Sequence, residues 1–142
     1  MNKAYTIGYE GKDIDEFLEL LEENEISRLI DVRSSPRSRK EDFNKENLKD
    51  ELFRKSIMYR HLPELGGLRE DYEEVMEGEE WKEGFEELKN VAEGGKTVLM
   101  CLEDDPIRCH RKYIAEALEV EGWDVVHISE GGAWKDKSLD DF

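Results

Sequence analysis

Residues 97–122 read TVLMCLEDDPIRCHRKYIAEALEVEG, and the succession of residue types in that stretch decides the fold. Val98, Leu99, Met100 and Cys101 are apolar in an unbroken run, as a central strand covered on both faces requires. Asp105 and Pro106 then start a helix, which runs to about Glu121 and is terminated by Gly122. Val125 to Ile128 supplies the next strand. A fully buried strand followed at once by a helix and another strand is the signature of a parallel sheet.

Working outward toward the N-terminus, the same alternation repeats. Tyr5 and Ile7 read as a first strand ending at Gly8, and Gly8-Tyr9-Glu10-Gly11 turns into a helix with Asp13 as its N-cap. Phe17, Leu18 and Leu21 recur there at helical spacing, and the helix ends near Asn24. Arg28 to Arg33 carries Leu29, Ile30 and Val32, a second buried strand interrupted by Asp31. A basic loop after Pro36 leads to a helix through Leu48 and Leu52. A third strand follows near Met58 to Leu62, and Leu65-Gly66-Gly67 forms a turn. Arg69 to Glu93 reads as two helices broken near Gly78, the second presenting Trp81, Phe85, Leu88 and Ala92 along one face.

Strands alternating with helices predict one α/β domain over residues 1–142, a three-layer sandwich around a five-stranded, mostly parallel sheet, with 130–142 as a polar tail. The expected strand order is 3-2-1-4-5. In that order the crevice between the carboxyl ends of strands 1 and 4 is the topological switch point, where ligands bind in open α/β sheets.

Composition narrows the function. The chain of 142 residues is 37% hydrophobic and 41% charged, with a formal net charge of −16. That charge opposes loose binding to nucleic acid or to an acidic membrane. Met1 to Glu10 lacks a basic segment followed by an apolar one, and no apolar run approaches bilayer length, so a cytoplasmic location is expected. The two cysteines read as buried, reactive or metal-bound groups rather than a permanent bridge.

The densest chemistry is Cys101-Leu102-Glu103 followed by Cys109-His110-Arg111. Cys101, at the carboxyl end of its strand, is the candidate nucleophile, with a small packing side chain as the alternative. Glu103 and His110 lie within one loop of that thiol and are candidate proton carriers. His110 and Arg111 flank the apolar stripe of their helix, whereas Cys109 falls off it. Arg111 is a cation held near the sheet and calls for an acidic partner or an anionic ligand. The second signal is the basic stretch Arg28 to Lys40, in which Arg33 and Arg37 stand beside the predicted crevice with Ser34, Ser35 and Ser38 as hydroxyl donors. The competing reading is an Arg33 to Asp31 pair with a solvated loop; Arg28, at the far end of its strand, is structural. His61 is a weaker candidate at the carboxyl edge, and His127 belongs to the core. A Cys/His metal site lacks the spacing that marks such centres, and the sequence leaves the cofactor unknown.

Four segments carry a resemblance: Thr6-Ile7-Gly8-Tyr9; Ile30-Asp31-Val32-Arg33-Ser34 with Pro36 and Ser38; His61-Leu62-Pro63-Glu64-Leu65-Gly66-Gly67; and Cys101-Leu102-Glu103 leading to Cys109-His110-Arg111. In this combination the chain resembles the domain of unknown function 488 family. The resemblance implies a compact Rossmann-like domain with a shared site built from these motifs, and it brings Cys109 into that site despite its place on the helical wheel. The family name assigns no reaction. The site is also similar in chemistry to those of rhodaneses and cysteine phosphatases, but the spacing differs, since position 106 is proline and the nearest arginine is Arg108.

The leading expectation is a domain that binds, and as an enzyme processes, a phosphorylated or nucleotide-like anion. Gly8, Tyr9, Arg33, Arg37, Cys109 and Arg111 would hold the ligand, and Cys101, Glu103 and His110 would carry the chemistry. The alternatives are a thiol-redox, sulfur-transfer or Cys/His metal module, and a non-catalytic protein whose acidic helices dock on a basic partner. The sequence leaves the oligomeric state open.

Overall fold

A computed structural model describes residues 2–66, 71–103 and 110–129, and the backbone of 132–134. Its centre is a sheet of five parallel strands: β1 (Lys3–Gly8), β2 (Arg28–Asp31), β3 (Met58–His61), β4 (Thr97–Cys101) and β5 (Asp124–Ser129). A short sixth strand, β6 (Gly132–Trp134), pairs antiparallel with β5. The helices are α1 (Ile14–Glu23), α2 (Lys45–Arg54), α3 (Tyr72–Glu77), α4 (Glu79–Glu93) and α5 (Arg111–Val120).

Side chains alternate across the pleat and so build two cores. On one face Tyr5, Ile7, Leu29, Val98 and Met100 pack against Phe17 and Leu21 of α1 and Leu48 and Leu52 of α2. On the other, Ala4, Ile30, Leu99 and Val125 pack against Phe85 and Leu88 of α4 and Ile114 and Leu118 of α5. Every residue of β4 is buried, as its unbroken apolar run requires.

Local signals fix most boundaries. Asp13 caps α1 by accepting from the Glu16 N–H at 2.8 Å, while Glu16 reaches back to the Asp13 N–H at 3.3 Å. Gly78 takes extended backbone (φ −76°, ψ 150°) and separates α3 from α4. At the amino end of the sheet, Arg28 donates to the Val91 carbonyl at 3.0 Å and lies over Gly94, a structural role. The helix start expected at Asp105 and Pro106 lies outside the described residues.

The strand order corrects the expectation. It is β3-β2-β4-β1-β5-β6, so β4 inserts between β2 and β1 instead of lying outside β1. Both orders satisfy the right-handed crossover rule, because a crossover can skip a strand. β1 and β4 are both buried nearly throughout, so hydrophobic patterning does not distinguish their places. Within the expected tail, Gly132–Trp134 forms an edge strand.

The switch point survives this change. Gly8 still pairs with Cys101, and α1 and α5, which follow β1 and β4, pack on opposite faces. The observed order adds a neighbour: β4 ends between the ends of β1 and β2, so Cys101 lies near both Tyr9 and Arg33.

Candidate functional site

Beyond the last strand pairs the backbone keeps its sheet bonding. The Tyr9 N–H donates to the Cys101 carbonyl at 3.2 Å, the Glu10 N–H to Leu102 at 2.8 Å, and the Val32 N–H to Met100 at 3.0 Å. These bonds carry three strand ends upward together. Between them opens a cleft of about 300 Å³ lined by Tyr9, Arg33, Ser34, Ser35, Arg37, Cys101, Leu102, Glu103 and His110.

The floor is a buried ionic network. Asp31, fully buried, accepts from Arg33 Nε at 2.9 Å, Arg33 Nη2 at 2.7 Å, the Arg33 N–H at 3.1 Å and the Tyr59 hydroxyl at 2.6 Å. Arg33 Nη1 donates to the Phe43 carbonyl at 2.8 Å and to the Tyr9 hydroxyl at 3.4 Å. Burial works most strongly against the Arg33 charge, but the bond to Asp31, the Asp31 charge and Tyr9 together outweigh it and raise its pKa. Burial, and then the Asp31 charge, push Tyr59 up and keep it a neutral donor. The Asp31 to Arg33 pair is therefore real. Four of the five guanidinium N–H groups are used within the network, so Arg33 meets the cleft as a largely neutralised cation.

Arg37 differs. It is exposed on the cleft's lip, beside half-buried Ser34 and exposed Ser35. Among the described residues it has no ion pair or hydrogen bond.

Two histidines grip the start of this lip. His110 Nε2 lies 2.9 Å from the Val32 carbonyl and His61 Nε2 lies 2.7 Å from the Arg33 carbonyl. A carbonyl only accepts, so each Nε2 carries the proton. His61 does not line the cleft. Burial holds His110 below the ordinary histidine pKa of 6.5, against the opposing pull of the Val32 bond. A proton NMR titration is expected to place its midpoint below that value. The folded chain then resists a proton that the unfolded chain accepts, so stability falls as pH drops through the ordinary histidine range. A His110 midpoint above 6.5 would contradict this assignment.

On the opposite wall Cys101 Sγ lies 3.5 Å from Glu103 Oε2. Cys101 is disulfide-bonded. That differs from the expected reduced thiol, because composition and compartment say nothing of which sulfur atoms the fold brings together. Cys109 lies outside the described residues.

Arg111 is almost fully buried and does not line the cleft. It donates to Thr6 Oγ1 at 3.0 Å and to the Glu103 carbonyl, tying the segment after β4 to β1. Thr6 Oγ1, which accepts from Arg111, also lies within hydrogen-bonding distance of His127 Nδ1, at 2.6 Å. His127 thus belongs to the core. No three His, Cys, Asp or Glu side chains among the described residues are grouped to hold a metal ion. No described helix is long and apolar enough to cross a membrane.

Sequence reasoning missed three contributors. Leu102, 44% exposed, forms part of the wall. Tyr59 completes the Asp31 network, and its place on the strand ending at His61 was the available signal. Gly66 presses on the lip: a Cβ there would stand 2.2 Å from Ser34 Oγ and 2.5 Å from Ser34 Cα.

Fold and cleft together define a class, an α/β domain with a parallel sheet and a crevice at its carboxyl edge. Within that class the chain belongs to the family described as Domain of unknown function DUF488, whose family model matches residues 13–118. No curated protein and no solved structure matches the chain.

Proposed function

We propose that this domain binds a small phosphorylated or nucleotide-like anion in the cleft above β1, β4 and β2. The observation that carries the reading is Arg37, a cation without an ion pair among the described residues, on the lip of a cavity of about 300 Å³. Ser34 and Ser35 on the same lip add hydroxyl donors suited to phosphate oxygens, and Tyr9 and Leu102 give the rest of a small organic ligand an apolar surface. With Arg33 satisfied by Asp31, recognition of the anion falls chiefly to Arg37. Cys101, Glu103 and His110 also line the cleft, where a carboxylate, a neutral imidazole and, once its disulfide is reduced, the Cys101 thiol are the groups for a covalent or proton-transfer step.

Calorimetric titration with pyrophosphate, under reducing conditions, tests the reading. Arg37→Ala is expected to weaken binding by about ten- to a hundredfold, the range for one charged hydrogen-bonding group. Arg54→Ala, removing an exposed arginine paired with Glu51 on α2, is expected to bind as the unaltered chain does. Equal affinities for Arg37→Ala and the unaltered chain, or no binding at all, would overturn the proposal.

A further inference from the structure

Tyr9 brings to the cleft a hydroxyl that the rest of the protein leaves half used. Its ring lies nearly parallel to that of Phe43, with centroids 4.4 Å apart and an interplanar angle of 13°, and Phe43 in turn meets Phe17 of α1 edge-on. Its backbone is held by the bond from its N–H to the Cys101 carbonyl at 3.2 Å. Tyr9 is only 3% exposed and lines the cleft together with Arg33.

Arg33 fixes what the hydroxyl can do. Arg33 Nη1 lies 3.4 Å from the Tyr9 hydroxyl oxygen, and a guanidinium only donates, so that oxygen accepts and its own hydrogen must go elsewhere. Among the described residues no acceptor takes that hydrogen. The acceptors of the floor are already engaged, the two Asp31 oxygens by Arg33 and Tyr59 and the Phe43 carbonyl by Arg33. A buried donor without an acceptor is costly, and native structures seldom keep one without a use. The cleft is the open space that Tyr9 and Arg33 both line, and a ligand oxygen there would complete the bond.

We propose that the Tyr9 hydroxyl is the donor that recognises the ligand's oxyanion at the inner end of the cleft, and that it passes on the polarising effect of Arg33. This inference rests on the reading of the cleft as an anion site. The bond from Arg33 draws electron density from the phenol oxygen and so strengthens the O–H as a donor. Four of the guanidinium N–H groups are used within the network, yet the cation still acts on the ligand through Tyr9. The consequence is a requirement on the ligand. A hydroxyl whose oxygen already accepts from a cation calls for an acceptor, so an ionised phosphoryl oxygen, rather than an N–H of a base or amine, belongs against Tyr9. Arg37 and the Ser34 and Ser35 hydroxyls then hold the other oxygens of the same group from the lip.

Calorimetry with pyrophosphate, under reducing conditions, tests this role in two arms. Tyr9→Phe deletes the hydroxyl, keeps the ring against Phe43, and is expected to weaken binding about tenfold, the size of one hydrogen bond to a charged group. The second arm replaces Tyr9 alone with a tyrosine fluorinated beside the hydroxyl, a more acidic phenol and a stronger donor. At a pH where both phenols keep their protons, the fluorinated chain is expected to bind pyrophosphate a few fold more tightly than the unaltered chain. A hydroxyl that merely braced Arg33 would accept less well after fluorination, and affinity would not rise. Fluorine is scarcely larger than hydrogen, so this arm does not depend on the fold tolerating Tyr9→Phe.

Unchanged affinity in Tyr9→Phe, or a loss there with no gain in the fluorinated chain, would overturn the role of Tyr9. If Arg37→Ala still weakens binding in that case, the anion site stands without Tyr9. No pyrophosphate binding by the unaltered chain would overturn both.

Discussion

Replacing Asp31 with Ala is expected to cost about 3–5 kcal/mol of folding stability, the range for removing one partner of a buried ion pair. The loss arises less from the vanished attraction than from what is left behind. Arg33 is only 6% exposed, and without Asp31 its guanidinium keeps the Phe43 carbonyl and the Tyr9 hydroxyl but no counter-charge. The Tyr59 hydroxyl also loses its acceptor. Urea unfolding measures the effect, and the double replacement of Asp31 by Leu and Arg33 by Met sharpens it. With both charges gone, the double variant is expected to recover a large part of the loss, because a buried pair is worth far less against an apolar substitute than against a half-removed pair. A single replacement costing under about 1 kcal/mol would mean that the network is solvated rather than buried.

Gly66→Ala is expected to leave the fold standing while weakening pyrophosphate binding at least as much as Arg37→Ala. Gly66 has ordinary backbone angles (φ −71°, ψ 151°), so conformational freedom does not explain the glycine. Space does. The added methyl group would meet the Cα and N of Ser34 at 2.5 Å, and main-chain atoms cannot swing aside as a side-chain tip can. Nor is the segment bearing Gly66 free to retreat. The Tyr72 hydroxyl donates to the Leu65 carbonyl at 2.8 Å and accepts from Trp81 Nε1 at 2.6 Å, which anchors that segment to α3 and α4. The lip carrying Ser34, Ser35 and Arg37 must therefore yield, at a stability cost of about 1–3 kcal/mol for overpacking. At Gly84 the nearest obstacle is Glu64 Cγ, part of a movable side chain, so Gly84→Ala is the milder comparison. Undiminished anion binding by Gly66→Ala would show that the lip does not depend on this contact.

These two sites mark where the sequence was and was not legible. The apolar run of β4 and the Asp13 cap are local signals, and both appear where those residues place them. Strand order is not local. β1 and β4 each satisfy a central position, and their sequence holds nothing that says which of them adjoins β2. The carboxyl-edge location of the cleft could be read in advance because Gly8 and Cys101 end neighbouring strands in either order. The partners within the cleft could not. Arg33 and Arg37 look alike in a basic loop, yet one is consumed by a carboxylate two residues away and the other remains on the lip. Arg111 likewise reads as a ligand-binding cation and instead braces Thr6 and the Glu103 carbonyl.

The most direct test is a crystal structure of the reduced chain grown with saturating pyrophosphate. Density for the anion in contact with Arg37 and the Ser34 and Ser35 hydroxyls, across from Cys101 and His110, is the predicted result. An empty cleft with the anion seated elsewhere on the molecule would contradict the account.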